Sequence, residues 1–339
     1  MVKVSVVIPV FNVEKYLEDC LNSVLKQTLT DIEVICVNDG SEDKSLEILE
    51  KYAHKDERMT VISQENGGHA AATNRGIALA KGEYLFLMDS DDIIENKALE
   101  LTYNKAKETD VDFVLFKAIN YDNNEREYYE TKSYSMNELY ERVKDDVFSY
   151  RDVSDLIFTI SVTPWSKLYN RRFITDNYIT FPEGLIFDDN IFFWNAFFSA
   201  ERIVFLNEFL FTRRYYSTSS TNNGDLRFLD SIRINDLIWE TFTKHNHFKQ
   251  HKNTLYNNKI RSLYNRYTKI KDEYKGVFFE EMKRSYMKLL ENGELLDDVL
   301  ANLTPDNRNI FIQVISTDNN EDFELLIETY SSIQKNIRG

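Results

Sequence analysis

Two of the acidic clusters in this 339-residue chain have the residue types and placement to do chemistry. The first is "GEYLFLMDSDDII", residues 82 to 94, where Asp89, Asp91 and Asp92 end an almost wholly apolar run. Residues two apart in an extended chain project to the same side, so Asp89 and Asp91 can face one point in space. Two carboxylates aimed at one point need a cation between them, and an all-oxygen pair suits Mg²⁺ or Mn²⁺. A turn in which Asp92 caps a helix beginning near Asn96 explains Asp92 but leaves the pair unexplained. The second place is "FDDNIFFWNAFF", with Asp188 and Asp189 adjacent. Adjacent carboxylates repel, which raises the pKa of one and suits proton transfer. A helix N-terminus favours acids in its first turn, so both readings can hold at once.

Smaller signals lie near the N-terminus. Asp39 in "VNDGS" ends a predicted strand, where a carboxylate can accept from a ribose hydroxyl or a base N–H, or simply cap a helix. Phe11 in "IPVFN" follows Pro9 at the first strand end, where an aromatic can stack on a nucleobase or belong to the core. Neither G-x-G-x-x-G nor G-x-x-x-x-G-K-[ST] is present. No dinucleotide or Walker-type phosphate loop is indicated, which leaves a diphosphate to be held through a metal.

The elements that must position these residues alternate between strand and helix over the first 120 residues, the signature of a parallel sheet covered by helices. Strands are predicted at 4–9, 33–37, 60–63, 83–88 and 112–118. Leu17, Leu21, Val24 and Leu25 give one apolar helix face between the first two. A second helix follows "DGSEDKS", with Ser41 as its cap, and a third runs through "HAAATNRGIALAKG" to a left-handed Gly82. Residues 119–161 are polar and tyrosine-rich and read as an insertion with a hairpin or short helices. "FDDNIFFWNAFFSAERIVFLN" reads as a helix followed by a strand. Beyond Asn222 the pattern is helical, with no β-rich run until "NIFIQVI".

A length of 339 residues allows about two domains. Apolar residues make up 42% of the chain with only ten glycines and four prolines, which excludes a disordered or low-complexity protein. The net charge of -15 argues against nucleic acid as the main partner. "MVKVSVVIPVF" reads as a first strand, and no run approaches the ~18 apolar residues of a membrane span. Cys20 and Cys36 form no metal or redox spacing and read as buried reduced thiols of a cytoplasmic protein. His247 and His251 would share a helix face, but the lysines around "HNHFKQH" favour a solvated face over a zinc pair. Residues 252–271 hold six basic and no acidic side chains, with Leu255, Ile260, Leu263, Tyr267 and Ile270 near helical spacing. Such a helix suits packing against the acidic catalytic domain, and after that the inner face of an anionic cell membrane or a lipid diphosphate.

Taken in order, "VSVVIPVFNVEKYLEDCLNSVLKQT", "EVICVNDGSEDKS", "QENGGHAAATNRGIALAKGEYLFLMDSDD" and "FDDNIFF" resemble the family 2 glycosyltransferases of bacterial and archaeal cell-surface glycan synthesis. The resemblance covers roughly residues 1 to 221. It implies an α/β fold of GT-A type, a Rossmann-like and mostly parallel central sheet flanked by helices. The glycosyltransferase domain would span 1–221, and a mainly helical C-terminal region 222–339. By resemblance, Pro9, Phe11 and Asp39 line the uracil and ribose pocket and Asn66 lies near the nucleotide. Asp89 and Asp91 are the metal-holding Asp-x-Asp pair, with Ser90 between them counted in the donor site. Asp189 is the catalytic base, with a swap of roles with Asp188 left open. Trp165 in "TPWSKLY" would stack on an acceptor sugar with Lys167 meeting its charge, and Arg214 would face the phosphates. Where many relatives read Ala-Arg-Asn, this chain has Ala72-Thr73-Asn74, with Arg75 displaced by one step.

The resulting expectation is an inverting, metal-dependent transferase taking a UDP-sugar to a hydroxyl of a glycan or lipid-linked acceptor. A sugar-nucleotide pyrophosphorylase would need a glycine-rich nucleotidyl loop that is not seen. A catalytically silent sugar-nucleotide-binding subunit that recruits a partner enzyme is the reading from a different class.

Overall fold

The computed structural model describes residues 1–216, 224–291 and 295–338 and divides into two compact units, Met1–Ser217 and Thr218–Gly339. The boundary expected at 221/222 falls outside the described residues.

The first unit begins with β1 (Val4–Val10), α1 (Leu17–Leu25), β2 (Ile32–Asp39), α2 (Ser45–Ala53), β3 (Met59–Gln64), α3 (His69–Leu79) and β4 (Tyr84–Leu87). The strands pair in parallel as β3-β2-β1-β4, with Val6 opposite both Val34 and Phe86. β1 and β4 are buried along their whole length, as strands covered on both faces must be. α1 packs its Leu17, Cys20, Leu21 and Val24 face on this block.

There follow β5 (Ile93–Ile94), α4 (Ala98–Thr109), β6 (Phe113–Asp122), β7 (Glu127–Tyr129), α5 (Lys132–Ser135), α6 (Asn137–Val143), β8 (Lys167–Asn170), α7 (Arg171–Asp176), α8 (Asp189–Ser199) and β9 (Ile203–Tyr215). The sheet continues from β4 through β8, β6, β9 and β5, with β7 paired to β6. β8 is antiparallel to both β4 and β6, so β6 points the same way as β4, and β9 is parallel to β6. Six of the nine strands therefore share one direction, and the sheet is mostly parallel. The polar insertion contains both a hairpin, β6–β7, and the short helices α5 and α6.

Several local expectations change. α2 starts at Ser45 rather than beside Ser41, whose hydroxyl instead accepts from the Asn12 amide at 3.2 Å and ties the first strand end to the second. Gly82 is not left-handed. It is needed because a Cβ there would lie 2.5 Å from the Ser5 amide nitrogen. α4 starts at Ala98, and Asp92 does not cap it, because its carboxylate accepts from the Arg214 amide at 2.6 Å.

The second unit is helical: α9 (Asp230–Lys244), α10 (Phe248–Tyr267), α11 (Asp272–Glu291), α12 (Leu296–Ala301), α13 (Pro305–Ser316) and α14 (Asn320–Arg338). "NIFIQVI" lies within α13, where Ile310, Phe311 and Val314 are buried at i, i+1 and i+4, so its apolar residues serve a helix face and not a strand. The apolar side of α10 is likewise spent on this unit's own core. Leu255, Ile260, Leu263, Tyr267 and Ile270 are all buried, and the Lys259 ammonium donates to Asp236 at 2.7 Å. A face already covered is not free to insert its apolar side chains into a membrane, which leaves only the basic side chains of 252–271 to meet an anionic surface or a lipid diphosphate. His251 is also buried, edge-on to Phe242, and not on a solvated face. Among the described residues no helix is long and apolar enough to cross a membrane.

Candidate active site

β4 delivers its carboxylates to a turn rather than to an extended strand end. Asp92 donates its amide to the Asp89 carbonyl at 3.3 Å, and this brings oxygens of Asp89, Asp91 and Asp92 within 4.8 Å of one another. Asp92 is 2% exposed, and burial, then the Asp91 and Asp89 charges, push its carboxyl well above the ordinary range. Burial and then Asp89 also raise Asp91, against a hydrogen bond accepted from the Tyr216 hydroxyl at 2.7 Å. No Lys or Arg side chain forms an ion pair with Asp91 or Asp92 among the described residues. A cluster of three carboxylates with oxygen-only donors, two of them without a Lys or Arg ion pair, fits a hard divalent cation, and the part-exposed Asp89 and Asp91 are the two placed to ligate it. Ser90 sits part-exposed between them.

Arg214 does not face outward from this corner. Its Nε donates to the Asp91 carbonyl at 3.0 Å, its Nη2 to Asp19 at 3.1 Å, and its guanidinium lies 4.7 Å over Tyr16. These contacts commit the side chain to holding the acidic turn. Its half-buried neighbour Arg213 makes one long hydrogen bond to Asn120, 3.5 Å, and lies 6.0 Å over Tyr134.

At the neighbouring strand ends, Phe11 is 49% exposed just beyond β1, while Pro9 is buried inside that strand. Asp39, 2% exposed, accepts from the Gln64 amide at 2.7 Å and from the backbone of Gly67 and Gly68 at 2.9 and 2.8 Å. Most of its acceptor capacity is thus spent on shaping the loop that opens α3. Asn66, on that loop, packs against Gly40, where a Cβ would meet the Asn66 amide at 3.0 Å. Arg75 reaches the same network by donating to Gln64 at 3.1 Å, and Thr73, at the position of the usual arginine, is buried and bonded to the His69 carbonyl.

The second acidic pair sits at the start of α8. Burial, then the Asp188 charge, raise Asp189 well above the ordinary carboxylate range. Asn74 of α3 grips the segment that leads there: it accepts from the Phe181 amide at 2.9 Å and donates to the Phe181 carbonyl at 3.0 Å. Phe181 in turn stacks on Phe192 of α8 at 4.2 Å.

The acceptor roles expected of Trp165 and Lys167 are not available to them. Trp165 is 3% exposed and stacked on Phe211 at 4.4 Å. Lys167 has no exposed surface, and its ammonium donates to the Ser161 and Thr163 carbonyls and the Ser166 hydroxyl at 2.8, 2.6 and 3.3 Å. Burial lowers its pKa to about 7, against the pull of nearby Asp189. Tyr134, from the insertion, packs edge-on to Trp165 at 5.1 Å and holds a half-buried place among the site carboxylates.

Two residues escaped the sequence reading altogether. His69, the first residue of α3, places Nδ1 3.2 Å from Asp188 and Nε2 3.5 Å from Asp89. Partial loss of solvent opposes its charge, though its side chain stays 40% exposed, and Asp188 and Asp89 outweigh this and raise the imidazole pKa well above the usual value. Its sequence signal is only a histidine after a glycine pair. Tyr169, whose buried hydroxyl has no partner among the described residues, was missed for the same want of a local signal.

With this geometry in place, comparison with known proteins identifies the family. Residues 5–173 match the family model described as Glycosyl transferase family 2. Glycosyltransferase GlyG of Streptococcus pneumoniae serotype 4 is 36% identical over 219 residues, 64% of this chain and 72% of GlyG. Uncharacterized glycosyltransferase EpsJ of Bacillus subtilis is 33% identical over 64% of this chain, though the match spans only 62% of EpsJ. Among solved structures, S. aureus TarS 1-349 in complex with UDP-GlcNAc superposes with a TM-score of 0.73 over 97% of this chain and 92% of that one, at 23% identity. That likeness shows the fold, which is GT-A. The family model and the extent of the match to GlyG together show that this chain belongs to the family 2 glycosyltransferases.

Proposed function

We propose that the protein is an inverting, metal-dependent glycosyltransferase that moves a sugar from a UDP-linked donor to a hydroxyl of a cell-surface glycan or its lipid-linked precursor. The observation that carries this reading is the meeting, on either side of His69, of an oxygen-only acidic corner and a second acidic pair. The UDP-sugar bound by TarS supports the choice of donor.

Phe11 offers its exposed ring to the base, and Asp39 shapes the loop beside the ribose. Asp89 and Asp91 would hold Mg²⁺ or Mn²⁺, which when bound would supply Lewis-acid stabilisation of charge on the departing diphosphate. Arg213, with guanidinium donors to spare, takes over the phosphate-facing part expected of Arg214. Asp189, with its raised pKa, accepts the proton of the acceptor hydroxyl as that oxygen bonds to the anomeric carbon. The bond to the diphosphate breaks on the opposite face, and a single displacement inverts the centre.

Thermal stabilisation by UDP and UDP-sugars with and without Mn²⁺, repeated on Asp91→Ala, tests the reading. A shift that needs both the metal and Asp91 is expected. No metal-dependent shift with any nucleotide would remove the donor site. A silent binding subunit would give the shift but no donor hydrolysis above background.

A further inference from the structure

We infer that His69 is a positioning residue that ties the base-bearing start of α8 to the metal corner, so that filling the donor site and placing Asp189 are one event. The inference rests on the function proposed above, in which Asp89 and Asp91 hold the cation and Asp189 takes the proton.

The bracing of His69 begins at Asp39. Its two oxygens hold the Gly67 and Gly68 amides, and Gly68 takes φ 87°, a left-handed conformation that suits glycine. This fixes the entry to α3, and Thr73 bonds back to the His69 carbonyl at 2.9 Å. The first residue of the helix therefore leaves a braced backbone, and its side chain reaches carboxylates 20 and 119 positions away in sequence. An imidazole has polar atoms on two separated edges of one rigid ring, and here one edge meets Asp188 and the other Asp89. Phe181 lies edge-on to the His69 ring at 6.0 Å and stacks on Phe192 one turn into α8, so the ring is also braced from the α8 side.

The link divides the labour of the acidic pair. The Asp188 side chain is 8% exposed and turned to His69. Asp189 lies beside it, with a carboxylate oxygen within 4.8 Å of the ring and of Asp188, but the ring's hydrogen bond is to Asp188. Asp188 is then a positioning carboxylate that acts through His69, and Asp189 the one that meets the acceptor. A nucleotide and cation that fix Asp89 also fix, through the ring, the residue beside the base.

The test is a double-mutant cycle read by calorimetric titration of the whole protein with UDP in the presence of Mn²⁺. His69→Ala and Asp188→Asn should each weaken binding by about fivefold to tenfold, the lower part of the range of ordinary site-to-site coupling. The double variant should be no weaker than His69→Ala alone. His69→Gln, which restores one polar edge, should recover part of the loss and serves as the second variant if His69→Ala folds poorly. Additive effects, or an Asp188→Asn variant that binds like wild type, would overturn the link while leaving the donor site standing. Failure of the wild type to bind UDP with Mn²⁺ would instead overturn the donor site, and this inference with it.

Discussion

Asp189 carries opposite consequences for stability and for turnover. Its folded-state pKa is raised by burial and by Asp188, so the folded protein prefers the protonated form. Stability from this group is fully present below the unfolded value of about 4 and is lost as pH rises through the folded value. Asp189→Asn should therefore melt higher than wild type at pH 8, by roughly 2–4 °C for each kcal/mol recovered, with the difference vanishing near pH 4. The same variant should lose about 10²- to 10⁴-fold in turnover, the usual worth of a general base, while still binding UDP. Wild-type activity should rise with pH as Asp189 loses its proton. A variant that melts lower at pH 8, or turns over normally, would show that Asp189 is not a strained base. The type and place of this carboxylate could be read from adjacent acids ahead of an apolar helix. His69 could not, because its partners come from β4 and α8 and nothing in its own neighbourhood points to them.

At the scale of elements, the strand ends and their helices were largely legible because the first 120 residues obey two clean periodicities. β1 and β2 run one or two residues beyond the predicted 4–9 and 33–37. What stayed hidden was made by distant pairing. β8 is four residues long and is inserted between β4 and β6, and no local signal marks a strand whose hydrogen bonds lie some 50 to 80 residues away. Gly82 likewise looked like a helix terminator, and its real constraint is the approach of β1. Gly82→Ala should cost about 1–3 kcal/mol by overpacking, since the added methyl meets the backbone of Val4 and Ser5 as well as the Ser5 hydroxyl. Urea unfolding with an unchanged slope and a lower midpoint checks this, and a midpoint equal to wild type would mean the strands part without cost.

For the whole molecule, the periodicities pointed to a mostly parallel sheet followed by a helical C-terminal region, but an amphipathic helix cannot say from sequence alone what covers its apolar side. In α10 the cover is the unit's own core, and even a lysine is drawn in. Lys259 is 2% exposed, held by Asp236 at 2.7 Å, with Lys288 at 3.7 Å from the same carboxylate. Asp236→Ala should leave a buried ammonium unpaired and cost about 3–5 kcal/mol, and adding Lys259→Met should restore most of it. A double variant as unstable as the single one would locate the loss elsewhere.

Both cysteines of the chain are sealed inside the first unit, Cys20 under the Asp89 carbonyl and Cys36 in β2, with burial holding each thiol far from ionisation. The native protein should therefore be silent to thiol-directed dyes. A single cysteine placed at Tyr178, which is 89% exposed, would be a unique attachment point for a fluorescent reporter, with no need to remove either natural thiol first.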